Sequence, residues 1–204
     1  MFTGIVQSIG KVVTWGAGVD TRRLVVSTSL PVESLPLGAS IAVDGVCLTV
    51  VERSQGRFAA DVGPETLART TFVERHEGDG VHLELPLAAG DPLGGHIVSG
   101  HVDGVGTVVA TRPRGDALEI DLEAPAELAR YLTPKGSITV DGVSLTVNTV
   151  DGNRFGVTLI PHTMEVTLLG RRAVGAKVNL EADLLAKHVD RLVAHYLHVH
   201  GATS

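Results

Sequence analysis

Hydrophobic positions along the chain come in short runs of valine, isoleucine, leucine and threonine, cut every few residues by glycine or proline. Such runs predict short antiparallel strands joined by tight turns. In residues 46–50, VCLTV, Val46, Leu48 and Val50 share one face of a strand, and Cys47 and Thr49 share the other. Residues 143–147, VSLTV, place Val143, Leu145 and Val147 against Ser144 and Thr146 in the same way. The apolar face predicts core. The other face carries small hydrogen-bonding groups, suited either to water or to a flat polar ligand at close range. Asp44-Gly45 joins residues 41–43 to the first of these runs and is a strong two-residue hairpin signal. Helical pattern is confined to residues 126–131, where Pro125 suits a first turn, and to the last twenty residues. There Leu185, Val189, Leu192, Tyr196 and Val199 recur at spacings of four, three, four and three. So short a helix needs a partner for this seam, either its own domain or other copies of the chain.

The runs repeat. SIAVDGVCLTV from Ser40 and SITVDGVSLTV from Ser137 are identical at nine of eleven positions, at an offset of 97. The same offset aligns FAADVGPETL from Phe58 with FGVTLIPHTM from Phe155, and VHLE from Val81 with VNLE from Val178. At an offset of 96, FTGIVQSIGKV from Phe2 matches VSGHVDGVGTV from Val98. Four collinear blocks establish an internal duplication. They divide the chain into residues 1–96, residues 97–184 and a helical tail, residues 185–204. Each half is expected to form a small antiparallel barrel, because closure removes the unpaired edges of a short strand set.

Composition narrows the function. At 204 residues there is room for two domains of roughly 100 residues, and 44% hydrophobic residues exclude disorder. A net charge of −6 without a basic block argues against nucleic acid. No apolar stretch approaches the ~20 residues of a membrane span, and the N-terminus lacks the basic-then-apolar order of a secretory signal. The single cysteine, Cys47, cannot close an intrachain disulfide, which fits a reducing, cytoplasmic setting. Its repeat partner is Ser144, so the position takes a thiol or a hydroxyl; this points to a hydrogen-bonding or auxiliary role over an indispensable thiolate. The junction Gly94-Gly95-His96-Ile97-Val98-Ser99-Gly100-His101 combines glycines, which let backbone approach a ligand, with two proton carriers for neutral pH. It is not a dinucleotide fingerprint, since no helical pattern follows it. His195, His198 and His200 lack the cysteines or carboxylates that would complete a metal site.

The opening MFTGIV, the paired DGVCLTV and DGVSLTV, the GGHIVSGH junction, PETL and LIPHT together resemble the riboflavin synthase, or lumazine-binding repeat, family over essentially the entire chain. The resemblance implies a mainly β fold: two tandem six-stranded antiparallel Greek-key barrels plus a C-terminal α-helix that supports a homotrimer. It implies a transferase of riboflavin biosynthesis that needs no cofactor or metal. Two molecules of 6,7-dimethyl-8-ribityllumazine per active site would undergo dismutation by four-carbon transfer, giving riboflavin and 5-amino-6-(D-ribitylamino)uracil. The site would lie where the N-terminal half of one subunit faces the C-terminal half of a neighbour. A non-catalytic, antenna-type lumazine- or flavin-binding protein of the same fold is the alternative; the motif's presence in both halves favours the enzyme.

Carried over by position, the resemblance assigns one pocket to Gly4, Ile5 and Val6 with Cys47, Leu48 and Thr49, plus Asp61, Val62, Gly63, Pro64, Glu65 and Thr66. It assigns the other to Gly100, His101 and Val102 with Lys135, Ser144, Leu145 and Thr146, plus Ile160, Pro161, His162, Thr163, Met164 and Glu165. Phe2, Cys47, Thr49, His101 and Ser144 match positions linked to activity, with His101 expected to move protons and Ser144 and Cys47 to assist at the reacting ring. Lys135 stands where the first half has Gly38, and His162 where it has Glu65, so the two pockets are not chemically equal.

Overall fold

The computed structural model describes residues 1–16, 18 and 20–200, the side chain of His200 excepted. The alternating runs of the first half become β1 (Ser8–Trp15), β2 (Arg22–Ser27), β3 (Ser40–Val43), β4 (Val46–Ser54), β5 (Arg57–Val62) and β6 (Gly80–Glu84). They pair antiparallel in the order β1-β2-β5-β4-β3-β6, and β6 returns to β1 to close a barrel. A short helix, α1 (Pro64–Arg69), follows β5 and carries its proline in the first turn.

The second half repeats this order with one break. Its strands are β7 (Gly104–Arg114), β8 (Ala117–Glu123), β9 (Ser137–Val140), β10 (Val143–Thr146), β11 (Thr149–Asp151), β12 (Arg154–Leu159) and β13 (Lys177–Ala182). They run β10-β9-β13-β7-β8-β12-β11, so β10 and β11 together stand where β4 stands in the first half. The difference is local. β4 carries a bulge between Val50 and Glu52. At the equivalent place the strand breaks at Asn148, which donates its backbone N–H to Gly156 O (2.8 Å) and its side-chain amide to Thr158 Oγ1 (2.8 Å). Helix α2 (Pro161–Val166) matches α1, and residues 126–131 form a short 3₁₀ turn.

The alternation read from the sequence holds on both strands. Val46, Leu48 and Val50 are buried, as are Val143, Leu145 and Val147; Cys47 and Ser144 are half-buried, and Thr49 and Thr146 exposed. Each half has its own core, the first around Leu24, Ile41, Phe58, Phe72 and Leu83, the second around Leu122, Ile138, Phe155, Leu159 and Leu180. Burying each such side chain contributes roughly 1.5–3 kcal/mol.

The two Asp-Gly turns do more than close hairpins. Asp44 and Gly45 are left-handed (φ 45° and 78°), as are Asp141 and Gly142 (φ 48° and 77°). The turns meet between the barrels: a Cβ on Gly45 would fall 2.7 Å from Gly142 N, and one on Gly142 would fall 2.6 Å from Gly45 N. Around this contact the bonds are reciprocal. Asp44 pairs with Arg75 and accepts the His82 N–H (2.8 Å). Asp141 pairs with Arg172 (2.6 Å) and accepts the Asn179 N–H (2.8 Å). The side chains of His82 and Asn179 then reach across. His82 Nδ1 donates to Asp141 O (2.9 Å) and Nε2 accepts from Leu168 N–H (2.7 Å). Asn179 donates to Asp44 O (2.9 Å) and accepts from Thr71 N–H (2.8 Å). The joint therefore pairs buried polar groups of the two halves with one another, while Nε of Arg75 and of Arg172 has no hydrogen-bond partner among the described residues.

Helix α3 (Leu184–His200) closes the chain. Lys187–Asp103 (2.6 Å) and Arg130–Asp190 (2.7 Å) tie its polar side to the second half. The apolar seam is left uncovered, with Leu185 63% and Leu192 69% exposed, so the chain's own barrel is not its partner. Residues 201–204, the end of the expected tail, lie outside the described residues. Among the described residues no helix is long and apolar enough to cross a membrane.

Candidate active site

Cys47 and Ser144 occupy equivalent places, and each is met by the segment that leads into the other half's first strand. Gly100 O accepts the Cys47 N–H (2.8 Å), and Gly4 O accepts the Ser144 N–H (2.8 Å). Gly4 and Gly100 have φ of 76° and 79°, and a Cβ on either would lie 2.6 Å from the Cβ of Ser144 or Cys47 respectively. Only glycine permits this approach. The grouping expected from the sequence is thereby corrected: Gly4, Ile5 and Val6 belong with Ser144, and Gly100, His101 and Val102 with Cys47. The physical reason is a crossover. Phe2 and Val98 exchange backbone bonds (2.8 and 3.1 Å), so the two leaders lie antiparallel between the barrels, and each touches the opposite barrel before entering its own. A repeat offset aligns copies but carries no information about which copy a leader touches.

The first site is an open cleft of about 450 Å³ lined by Val46, Cys47, Glu65, Thr66, Arg69, Thr70, Gly100, His101, Val102 and Asp103. It unites six of the sequence candidates. Val46, Arg69, Thr70 and Asp103 were not among them; Arg69 was findable as the residue four beyond Glu65 on α1, and the two bond at 3.0 Å. Other candidates stand apart. Asp61 is engaged by Arg23 (2.6 Å), Val62 and Leu48 point into the core, and Thr49 faces outward beyond the lining. Gly63 and Pro64 form the start of α1.

The second site is roofed. The junction glycine Gly95 presses so close that a Cβ there would lie 2.1 Å from Thr3 O and 2.9 Å from Ser144 Oγ. His96 follows, its N–H on Thr3 O (3.1 Å) and its Nδ1 sharing a hydrogen bond with Ser144 Oγ (2.7 Å). Burial lowers the His96 pKa below the ordinary histidine range, with Asp183 opposing the shift. An imidazole held neutral beside a hydroxyl is placed to take its proton. The histidine at Ser144 is thus His96, whereas His101 is exposed and sits at Cys47. The GGH spacing named both histidines, but only the crossover tells which one meets the hydroxyl.

Around the second site Ile160 is exposed and Pro161, His162, Thr163, Met164 and Glu165 lie in α2. Leu145 is buried and Thr146 exposed. Lys135 is exposed in a left-handed conformation (φ 69°) and donates its N–H to Val147 O (2.7 Å). A non-glycine residue there costs on the order of 1 kcal/mol or more, and its repeat partner Gly38 shares the geometry without that cost. Phe2 is only 1% exposed and packs on Ala42, Val98 and Cys47, so any link to activity runs through packing and not through contact with a ligand. Among the described residues no group of three His, Cys, Asp or Glu side chains is placed to hold a metal ion.

Comparison with known proteins agrees with this duplicated frame. The family described as "Lumazine binding domain" matches residues 3–86 and again residues 99–183. The chain is 49% identical over 197 residues to a riboflavin synthase of Mycobacterium tuberculosis (strain ATCC 25618 / H37Rv), covering 95% of this chain and 98% of that one. It is 43% identical over 194 residues to a riboflavin synthase of Photobacterium phosphoreum, covering 95% and 89%. A riboflavin synthase of Bacillus subtilis (strain 168) is 38% identical over 193 residues, covering 95% and 90%. Among solved structures, LumP complexed with riboflavin superposes with a TM-score of 0.81 at 29% identity, covering 89% of this chain and 99% of that one. LumP complexed with 6,7-dimethyl-8-(1'-D-ribityl) lumazine superposes with a TM-score of 0.79 at 28% identity, covering the same shares.

Proposed function

The chain belongs to the lumazine-binding domain family, and from that premise we propose that it works as a riboflavin synthase. It converts two molecules of 6,7-dimethyl-8-ribityllumazine into riboflavin and 5-amino-6-(D-ribitylamino)uracil by moving a four-carbon unit from one ring system to the other. The atoms of the two substrates equal those of the two products, so the reaction needs no oxidant or reductant. The likeness to riboflavin synthases along nearly the whole chain carries this reading.

The site chemistry is consistent with it. The methyl group on lumazine C7 is acidic because its carbanion delocalises into the ring; a base removes that proton, and an oxygen nucleophile adds at C7 of the second molecule. Ser144 and His96, hydrogen-bonded at 2.7 Å, provide a hydroxyl and a neutral base at one pocket. Cys47 and His101 face the other. Gly4, Ile5, Val6, Lys135, Thr146 and α2 complete the Ser144 pocket, while Glu65, Thr66, Gly100 and Val102 complete the Cys47 pocket. Holding two rings in fixed orientation supplies much of the rate, since it replaces a bimolecular encounter.

The finer organisation follows from the same reading. Residues 1–96 and 97–184 act as the two ligand-binding barrels. The seam of α3, exposed along Leu185, Val189 and Leu192, packs against other copies in a homotrimer, and this brings the N-terminal half of one subunit to the C-terminal half of the next. We place the protein in the cytoplasm, where a lone thiol stays reduced. Purified protein incubated with the lumazine alone, with oxygen excluded and a chelator present, is expected to accumulate riboflavin, read by absorbance and fluorescence. Ligand fluorescence that changes without riboflavin formation would instead establish the binding-only role.

A further inference from the structure

Two buried glutamates lie outside every role assigned above. Glu84 ends β6 and Glu181 lies in β13, at the repeat offset; they are 6% and 2% exposed. Neither forms an ion pair within 4.0 Å among the described residues, yet each receives three hydrogen bonds. Glu84 accepts the Thr3 N–H (2.6 Å), the Thr3 hydroxyl (2.8 Å) and the Gly4 N–H (3.0 Å). Glu181 accepts the Ser99 N–H (2.8 Å), the Ser99 hydroxyl (2.6 Å) and the Gly100 N–H (3.0 Å). The relay continues one step further: Thr3 Oγ1 accepts from Ile5 N–H (3.3 Å), and Ser99 Oγ from His101 N–H (3.2 Å).

A carboxylate is the side chain that can take three converging donors, because it is acceptor-only with two oxygens; a glutamine would turn an NH₂ toward one of them. Burial is costly and raises both carboxyls above the usual glutamate range, opposed by these hydrogen bonds and, at Glu181, by the charge of Lys187. What the cost secures is the leader's geometry. Thr3 and Gly4 precede the first barrel's own first strand, but Gly4 O is spent on Ser144 in the second barrel. Ser99 and Gly100 precede the second barrel, but Gly100 O is spent on Cys47 in the first.

We propose that Glu84 and Glu181 are positioning residues that act across the joint: Glu84, in the first barrel, sets the pocket wall at Ser144 in the second, and Glu181, in the second, sets the wall at Cys47 in the first. The assignment rests on the reading of both places as ligand pockets. It makes each pocket depend on a charged residue that touches no ligand and belongs to the opposite domain.

Cys47 is the chain's one cysteine and therefore a built-in reporter for its own pocket. The test alkylates Cys47 in the full-length protein with iodoacetamide across a riboflavin titration, and follows total riboflavin binding in parallel by fluorescence quenching. In the unmodified protein riboflavin slows alkylation. Glu181→Gln is expected to raise the riboflavin concentration giving half-protection of Cys47 by about tenfold, the loss of one charge-assisted hydrogen bond. Glu84→Gln is expected to leave that midpoint within about twofold while weakening the other binding phase by about tenfold. If Glu181→Gln does not fold, Ser99→Ala removes one of its three donors and should shift the Cys47 midpoint alone by about threefold. Equal loosening of both pockets by either variant, or an effect confined to the mutated barrel's own pocket, overturns the proposal. Failure of riboflavin to protect Cys47 in the unmodified protein overturns the ligand reading of that cleft, and the brace with it; riboflavin protection unaltered by Glu181→Gln overturns the brace alone.

Discussion

The site at Cys47 and the site at Ser144 are copies of one arrangement set in unequal surroundings. Both keep the same outward strand face, the same glycine-bearing leader and the same buried glutamate behind it. They differ where acid–base chemistry would act. The Cys47 pocket is an open cleft with an exposed His101; the Ser144 pocket is closed down by Gly95 and holds a half-buried His96 on the hydroxyl. Glu65 in one becomes His162 in the other, and Gly38 becomes a strained Lys135. Between the halves the Asp-Gly turns with their arginines, the leader glycines and the glutamates stay alike, whereas the residues that reach across the joint differ, His82 in one half and Asn179 in the other. The surroundings of Cys47 and Ser144 have diverged further, with His101 exposed at one and His96 bonded to the hydroxyl of the other.

This contrast can be broken most sharply by removing its chemical half. Ser144→Ala and His96→Gln are each expected to lower kcat by about 10²–10⁴-fold, the range of a general acid–base contribution, with much smaller changes in riboflavin binding. His101→Gln and Cys47→Ser are expected to cost less, Cys47→Ser within about tenfold, because Ser144 shows that a hydroxyl fits the position. Steady-state kinetics beside fluorescence titration separates the two effects; a larger loss from His101→Gln than from His96→Gln would move the proton carrier to the open cleft.

The joint offers a second comparison. The Arg75 side chain is 8% exposed against Asp44, and Arg172 is 21% exposed against Asp141. Arg75→Ala leaves a carboxylate fully buried and unpaired and should destabilise by about 3–5 kcal/mol in urea unfolding. Arg172→Ala, with more water at hand, should cost less. Equal losses would mean that burial does not set the cost.

The pH behaviour of the two sites should also differ. Because burial depresses His96, the acid limb of kcat/KM should fall below the ordinary histidine range and should vanish in His96→Gln. Glu84 and Glu181 shift the other way. A carboxyl with a raised folded pKa binds its proton more readily when folded, so its stabilisation is complete below the unfolded value and fades as pH climbs through the folded one. Mild acidification from neutrality should therefore raise Tm more in the unmodified protein than in Glu84→Gln. The smallest effect is expected at Lys135: Lys135→Gly relieves the left-handed backbone and should raise stability by about 1 kcal/mol while raising KM.

Much of this is legible in the sequence. Strict alternation in VCLTV and VSLTV, with Asp-Gly ahead of each, named the strand, its core face and its turn. Four collinear blocks named the duplication. What escaped was everything carried by contact between the halves. The reversed pairing of leaders with pockets, the choice of His96 over His101 at Ser144, and the crossed bonds of His82 and Asn179 all depend on which copy lies beside which. Residues far apart in the chain and equivalent under the repeat look alike to any sequence offset. The break in the fourth strand of the second half escaped for a different reason. It lies at Asn148, whose side chain bonds Thr158 on β12, a contact between neighbouring strands that the repeat does not reveal.

The measurement closest to the centre of this account is a riboflavin titration of the purified protein, followed to saturation by equilibrium dialysis. Two unequal sites per chain are predicted, the weaker or the tighter one lost selectively when Ser144 is replaced by a bulky residue. A single class of site holding one ligand per chain would contradict it.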